Sequence, residues 1–359
     1  MTDVETQFYT RTRDAWDIML QDIDHAQKTI DIEQYIFTID VIGERFLELL
    51  QEKARQGIQI RLMLDMVGSL GFYRSPMPEL LRKNGIQVRF FNPISLWRIA
   101  TLTFTSNFFR DHRKIMVIDG KIGHIGGVGI QDDMVNWRDT HVRTTGLLVQ
   151  DIASSFETVW KQKGKNMMGS FKRTKQFVKN FNLLTNSPRP RQRYLYQALI
   201  LNIRNAKKYI YLTTPYFIPD IRLFRVLRLA AKRGVDVQLL VPEVADHIFI
   251  NHARESYFTL ALKAGIRIYV YKGLMMHAKT GVIDDEWATA GSFNLDNLSL
   301  SFNYEANIST SDKQFIQDVK THFLEDVQSS REIILETWIR RPLGKKILEL
   351  LTWPFHGIM

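Results

Sequence analysis

The chain repeats itself, and that repetition limits its fold more sharply than any single motif. In the first half a helical run at 12–26 precedes an extended apolar stretch at 29–37. A second helical run at 42–56 is closed by Gly57, and 58–64 then reads as a buried strand. The second half replays the order with a helix at 193–206, an extended stretch at 209–217, a helix at 221–233 closed by Gly234, and a strand at 235–241. A third correspondence pairs 81–88 with 262–268, each a helix end stopped by glycine before a strand. Strands alternating with helices predict an α/β fold with mainly parallel sheets flanked by helices. Two copies of such a unit predict two lobes related by a pseudo-twofold axis, with the active site between them.

The expected organisation is an N-terminal lobe at 1–160, a linker at 161–192, a C-terminal lobe at 193–335 and a tail at 336–359. The linker is the most basic segment, with Lys161, Lys163, Lys165, Lys172, Arg173, Lys175 and Lys179 interleaved with apolar residues. Met167, Phe171, Val178 and Phe181 fall near one helical face, which fits either an interfacial membrane helix or a solvated linker packed on the lobes. In the tail Leu343, Ile347, Leu350 and Leu351 stand at helical spacing beside Lys345, Lys346 and Trp353. That segment reads as a helix docked on the domain or on a membrane.

A formal net charge of +10 favours anionic partners, either nucleic acid or an acidic lipid surface. The absence of cysteine excludes a disulfide framework, thiol catalysis and thiolate zinc sites, and fits a reducing compartment. The first thirteen residues lack the basic-then-apolar pattern of a signal peptide. No apolar run reaches the roughly 18 to 20 residues of a spanning helix, so membrane contact is expected at the surface.

The chemistry is carried by two motifs of identical spacing. The first runs from His112 through Lys114 to Asp119, the second from His277 through Lys279 to Asp284. Gly126-Gly127 and Gly291-Ser292 follow at the same distance. On a strand, residues two apart share a side, so imidazole and ammonium are expected to converge on one pocket while the apolar stretch anchors the strand. The glycines permit close backbone approach. Asp139 and Glu305 lie 27 and 28 residues beyond the respective histidines. A catalytic imidazole needs its second nitrogen held by an acceptor, and a carboxylate at this offset in both halves fits that duty; the alternative is a salt bridge to Arg138 or another neighbour.

These residues resemble the phospholipase D superfamily over nearly the whole chain. Gly126-Gly-Val-Gly-Ile130 with Asp139 and His141, and Gly291-Ser-Phe-Asn-Leu-Asp296 with Ser299 and Glu305, resemble its bacterial cardiolipin synthase branch. That resemblance implies a phosphatidyltransferase working through a covalent phosphohistidine. In the implied scheme His112 attacks phosphorus and His277 serves as general acid, then base. Lys114 and Lys279, with phosphate-binding Ser292 and Asn294, stabilise the growing charge. Asp119 and Asp284 complete the catalytic motifs, where they are expected to orient the lysines or brace the lobes rather than act on phosphorus. No metal or other cofactor is expected. The implied partners are anionic phospholipids and a membrane surface rather than nucleic acid, on the cytoplasmic face of a bacterial inner membrane. A monomer suffices for a complete site.

Two positions depart from the branch pattern: Gly129 stands where asparagine is usual, and Leu298 where arginine is common. An apolar insertion within 93–111, before the first motif, reads as a packed loop or as a wall for acyl chains. A phospholipase D releasing phosphatidate and a nuclease of the same superfamily remain open alternatives, since both use the same two-histidine chemistry. A catalytically dead scaffold or lipid-binding module is disfavoured by intact histidines and lysines in both motifs.

Overall fold

A computed structural model describes residues 4–94, 104–161, 180–243 and 248–342. Residues 95–103 of the apolar insertion, the linker residues Met167, Phe171 and Val178, and the tail from 343 onward lie outside the described residues.

The first half contributes β1 (Glu5–Arg11), β2 (Thr29–Gln34), β3 (Gln59–Asp65), β4 (Gln87–Phe91), β5 (Arg110–Asp111), β6 (Ile115–Ile118), β7 (Ile122–Gly126) and β8 (Arg138–Thr145). The second contributes β9 (Phe181–Asn186), β10 (Tyr209–Thr213), β11 (Phe217–Ile218), β12 (Asp236–Pro242) and β13 (Arg267–Tyr271). These are followed by β14 (Thr280–Ile283), β15 (Trp287–Gly291), β16 (Leu295–Asp296), β17 (Asn303–Thr310) and β18 (Ser330–Glu332). One sheet has the order β1-β8-β7-β6-β2-β3-β4, and the other β18-β13-β12-β10-β14-β15-β17-β5, with β9 paired to β17. The α/β class and the two-lobed repeat are as expected, but the sheets are mixed rather than mainly parallel. Only β2-β3-β4 and β10-β12-β13 form parallel trios, because only these are joined by helical crossovers. The motif strands β6 and β14 run antiparallel to β2 and β10 and continue as antiparallel pairs into β7 and β15.

The repeated helices form where the apolar spacing predicts them. The helix Val41–Arg55 is capped by Asp40 accepting from Gly43, and the helix Ile221–Lys232 by Asp220 accepting from Leu223. Gly57 and Gly234, both at φ +87, reverse the chain after each. The helices Thr12–Asp24 and Val41–Arg55 cover the outer face of the first sheet, where Met19, Phe46 and Leu50 meet Ile30, Ile32 and Met116. The next residues along β6, Ile115 and Val117, face the other way and pack with Val282, Ala288, Ala306 and Ile308 of the second half. A shared apolar layer therefore joins the lobes back to back.

The linker expectation needs a correction. Phe181, expected on a helical face, is the first residue of β9 and pairs with Thr310. Its neighbours alternate in burial as strand residues do. Among the described residues no helix is long and apolar enough to cross a membrane.

Candidate active site

Each His-x-Lys triplet lies in an extended link ahead of its strand rather than within it, since β6 begins at Ile115 and β14 at Thr280. The two links dock on the opposite half. β5 runs parallel to β17, pairing Asn303 with Arg110 and Tyr304 with Asp111, and the His112 amide donates to the Tyr304 carbonyl at 3.0 Å. In mirror fashion Arg138 bridges Met276, and the His277 amide donates to the Arg138 carbonyl at 2.7 Å.

That docking exchanges the carboxylates. His112 Nδ1 lies 3.0 and 3.1 Å from Glu305 Oε1 and Oε2, and His277 Nδ1 lies 2.7 Å from Asp139 Oδ2. Each histidine is thus held by the other half's carboxylate, a crossing that equal offsets along the chain could not reveal. With Nδ1 engaged, Nε2 is the nitrogen left for substrate in both rings. The Tyr35 ring stands edge-on to His112 at 4.9 Å, and the Trp137 ring edge-on to His277 at 5.1 Å.

The two pairs differ electrostatically. Burial, reinforced by the nearby Lys114 and Lys279 ammoniums, pushes His112 well below its ordinary value and leaves a neutral imidazole. Burial raises Glu305 to about 8 despite the pull of Lys114. Burial also works to raise Asp139, but His277 and Lys279 hold its carboxyl below its ordinary value. His277 is lowered by burial and by Lys279, with Asp139 opposing. The second pair therefore favours an ionised carboxylate beside a protonated ring more than the first does.

Lys114 and Lys279 are both buried, and each donates to the carbonyl of the histidine two residues earlier, at 2.7 and 2.5 Å. Burial lowers Lys114 to about 7. Lys114 lines the cavity, whereas Lys279 stands behind the wall. The motif aspartates do something else. Asp119 accepts from the amides of Gln27, Lys28 and Thr29 at 3.0, 2.7 and 2.9 Å. Asp284 accepts from Lys207, Lys208 and Tyr209 at 2.6, 2.9 and 2.8 Å. They clamp the starts of β2 and β10, roughly 16 Å along an extended chain from the lysines. This corrects the expectation that they orient those lysines or act at the site.

Ser292 also departs from its expected phosphate-binding role. Its hydroxyl is fully buried and donates to Glu305 Oε2 at 2.5 Å, so it steadies the carboxylate behind His112. Asn294 does line the cavity. Its Nδ2 donates to Ser299 Oγ at 3.3 Å, while its buried Oδ1 finds no partner among the described residues. The equivalent position in the first half is Gly129, where an added Cβ would lie 3.1 Å from Met134 Sδ. The thioether occupies the room that an asparagine would need.

His112, Lys114, His277 and Asn294 come together on one cavity of about 220 Å³. Several of its residues were not singled out from sequence: Tyr35, Arg110 and Tyr216. The available signal was position, since Tyr35 directly follows β2 and Tyr216 lies three residues beyond the end of β10. Arg110 donates to Asp65 at 3.3 Å and places a guanidinium in the wall. Asp296, raised to about 6 by burial, caps the helix Asn297–Phe302 through the Ser299 amide. Both halves give the wall a mixed lining: the first adds Ile36, Met134 and Trp137 to its cationic groups, and the second sets Asn294, Asp296, Ser299 and Asn303 beside Ile218 and Leu298.

Comparison with known proteins bears on this cavity directly. The family described as "Cardiolipin synthase, PLD-like domain" matches residues 19–160 and 199–327. The chain is 33% identical to the major cardiolipin synthase of Bacillus subtilis, over 97% of this chain and 74% of that protein. It is 31% identical to a cardiolipin synthase of Listeria monocytogenes, over 98% of this chain and 74% of the relative. Among solved structures, phosphatidylserine synthase of Haemophilus influenzae superposes with a TM-score of 0.76 at 14% identity, covering 98% of this chain and 93% of that one. Identity that low speaks to the fold alone.

Proposed function

This chain belongs to the cardiolipin synthase, PLD-like domain family, and from that premise we propose that it is a phosphatidyltransferase moving a phosphatidyl group between phospholipids. The observation that carries the reading is one cavity lined by two imidazoles, each held at Nδ1 by a carboxylate from the opposite half.

The roles follow from the unequal pairs. Neutral His112 is the nucleophile: its Nε2 attacks the donor phosphorus, a P–N bond forms, and the bond to the donor's head-group oxygen breaks. His277 protonates that departing oxygen, its imidazolium favoured by ionised Asp139 against the opposing pull of burial and Lys279. Neutral His277 then takes the proton from the acceptor lipid's hydroxyl, the acceptor oxygen attacks phosphorus, and the P–N bond breaks. His112 returns to its starting state and no net proton is consumed. Lys114 and Arg110 face the phosphoryl oxygens directly and Lys279 adds positive field from behind the wall. One chain holds both histidines and both carboxylates, so a monomer is complete, and the substrate is lipid rather than nucleic acid. The chain acts peripherally on the cytoplasmic face of the membrane.

The test is mass spectrometry of products from mixed phosphatidylglycerol and phosphatidylethanolamine vesicles. Cardiolipin with released glycerol is the expected result. Phosphatidate alone assigns hydrolysis, and cleavage of single-stranded DNA with intact lipid overturns the reading.

A further inference from the structure

The three most exposed large apolar side chains among the described residues are Ile221 at 87%, Leu274 at 73% and Val41 at 71%. Single exposed apolar residues need no explanation, but these three share a place in the fold. Val41 lies in the segment leaving the C-terminal end of β2, Ile221 in the one leaving β10 and β11, and Leu274 in the one leaving β13. From the first two of those strand ends Tyr35, Ile36, Tyr216 and Ile218 enter the cavity wall. Leu298 connects rim to cavity, since it lines the cavity and is still 45% exposed. Val41 and Ile221 are also equivalents, each directly following the aspartate that caps a repeated helix. The first position of a helix asks for nothing apolar. A β-branched residue held in water there in both halves therefore points outside the chain for its partner.

Charge selects the partner. Arg222, Arg225 and Lys272 are exposed beside these residues. Of the nearby carboxylates, Asp132 accepts from Val41 and Ile42, Asp40 from Gly43 and Asp132, and Asp220 from Leu223, while Glu44 and Asp133 stand exposed on the Val41 side, so the basic character is concentrated beside Ile221 and Leu274. An apolar rim with basic neighbours is complementary to an anionic bilayer surface.

We propose that this rim is the face by which the chain docks on an anionic phospholipid bilayer, with Val41, Ile221 and Leu274 entering the acyl boundary and the adjoining basic side chains meeting lipid phosphates. The choice of surface rests on the phosphatidyltransfer reading. What it adds is an orientation in which the cavity mouth faces the bilayer, so head groups reach the histidines without their acyl chains leaving it.

The test combines Val41→Glu, Ile221→Glu and Leu274→Glu in the 359-residue chain. A companion variant carries Leu80→Glu, Leu201→Glu and Leu260→Glu, exposed positions on helices that run back toward the starts of β4, β10 and β13. Flotation with phosphatidylglycerol vesicles measures docking. Turnover is measured on the same vesicles and on short-chain phosphatidylglycerol kept below its micelle concentration. The rim variant is expected to lose roughly tenfold or more of vesicle binding and vesicle turnover, with monomer turnover kept; the companion behaves as the parent. Leu274→Trp, which adds an interfacial ring, is expected to strengthen flotation. Unchanged flotation of the rim variant, or an equal loss in the companion, overturns the docking face. Rim-dependent flotation by a chain that turns over neither form of lipid supports the face and sinks the transfer reading alone.

Discussion

In the first half Gly126 is followed by a second glycine, whereas in the second half Gly291 is followed by Ser292, and the difference follows from the carboxylate each must accommodate. Asp139 is short and its Oδ1 would stand 2.1 Å from a Cβ placed on Gly127, so a side chain there collides with the group that holds His277. Glu305 reaches His112 from further away, and the Ser292 hydroxyl fits beneath it as a donor at 2.5 Å. The same scaffold thus presents one imidazole to an ionised carboxylate and the other to a carboxyl raised to about 8. A duplication can keep its geometry while one residue in each copy sets the proton affinity of its histidine.

The largest expected effect tests that division outright. His112→Ala and His277→Ala should each lower transfer by about 10⁴-fold or more. Quenching a reaction with a phosphodiester bearing a good leaving group into alkaline denaturant, where a P–N bond survives, should trap a phosphoenzyme in His277→Ala and none in His112→Ala. A phosphoenzyme in the latter reverses the assignment. A smaller contrast sharpens it: Asp139→Asn should cost about 10²-fold or more near neutral pH. Glu305→Gln resembles the protonated carboxyl already present below pH 8, so it should cost about tenfold. Equal losses in kcat would mean the two pairs are electrostatically alike.

Stability carries the remaining contrasts. Gly127→Ser should destabilise by about 1–3 kcal/mol through overpacking against Asp139, and Ser292→Gly by about 1 kcal/mol through a lost hydrogen bond, read by denaturant melts. The motif aspartates should behave alike in both halves. Asp119→Asn and Asp284→Asn are each expected to cost about 1 kcal/mol, discounted for solvent screening, with kcat of the folded protein unchanged. Burial works against Asp119, but its three amide donors hold the carboxyl below its ordinary value. Its contribution is therefore present above the unfolded value near 4 and fades as pH falls through the lower folded value. Asp119→Asn should lack that acid-sensitive limb.

Much of this fold was legible because it is written locally. The repeated helices carry apolar spacing and aspartate caps, and glycines at positive φ stop them, as at Gly57 and Gly234. The alternating isoleucines of β2 and the apolar run of β10 mark the central strands of the two sheets. What local pattern does not encode is which strand pairs with which. The antiparallel partners of β6 and β14 were missed for that reason, as was the capture of Phe181 by β17. Within the site the residue types were readable but their partners were not. The link from His112 to Glu305 spans 193 positions and the one from His277 to Asp139 spans 138. Asp119 and Asp284 misled because they recur with the histidines in sequence while clamping the opposite end of the central strands.

The crossed carboxylates make the two lobes a single latch. Any parting of the shared apolar layer withdraws Glu305 from one ring and Asp139 from the other in the same movement, so partial separation leaves no half-competent state. Neither copy can drift to a new docking angle without disarming its sibling. For a lineage that arose by duplication, this mutual dependence turns two interchangeable modules into one indivisible machine.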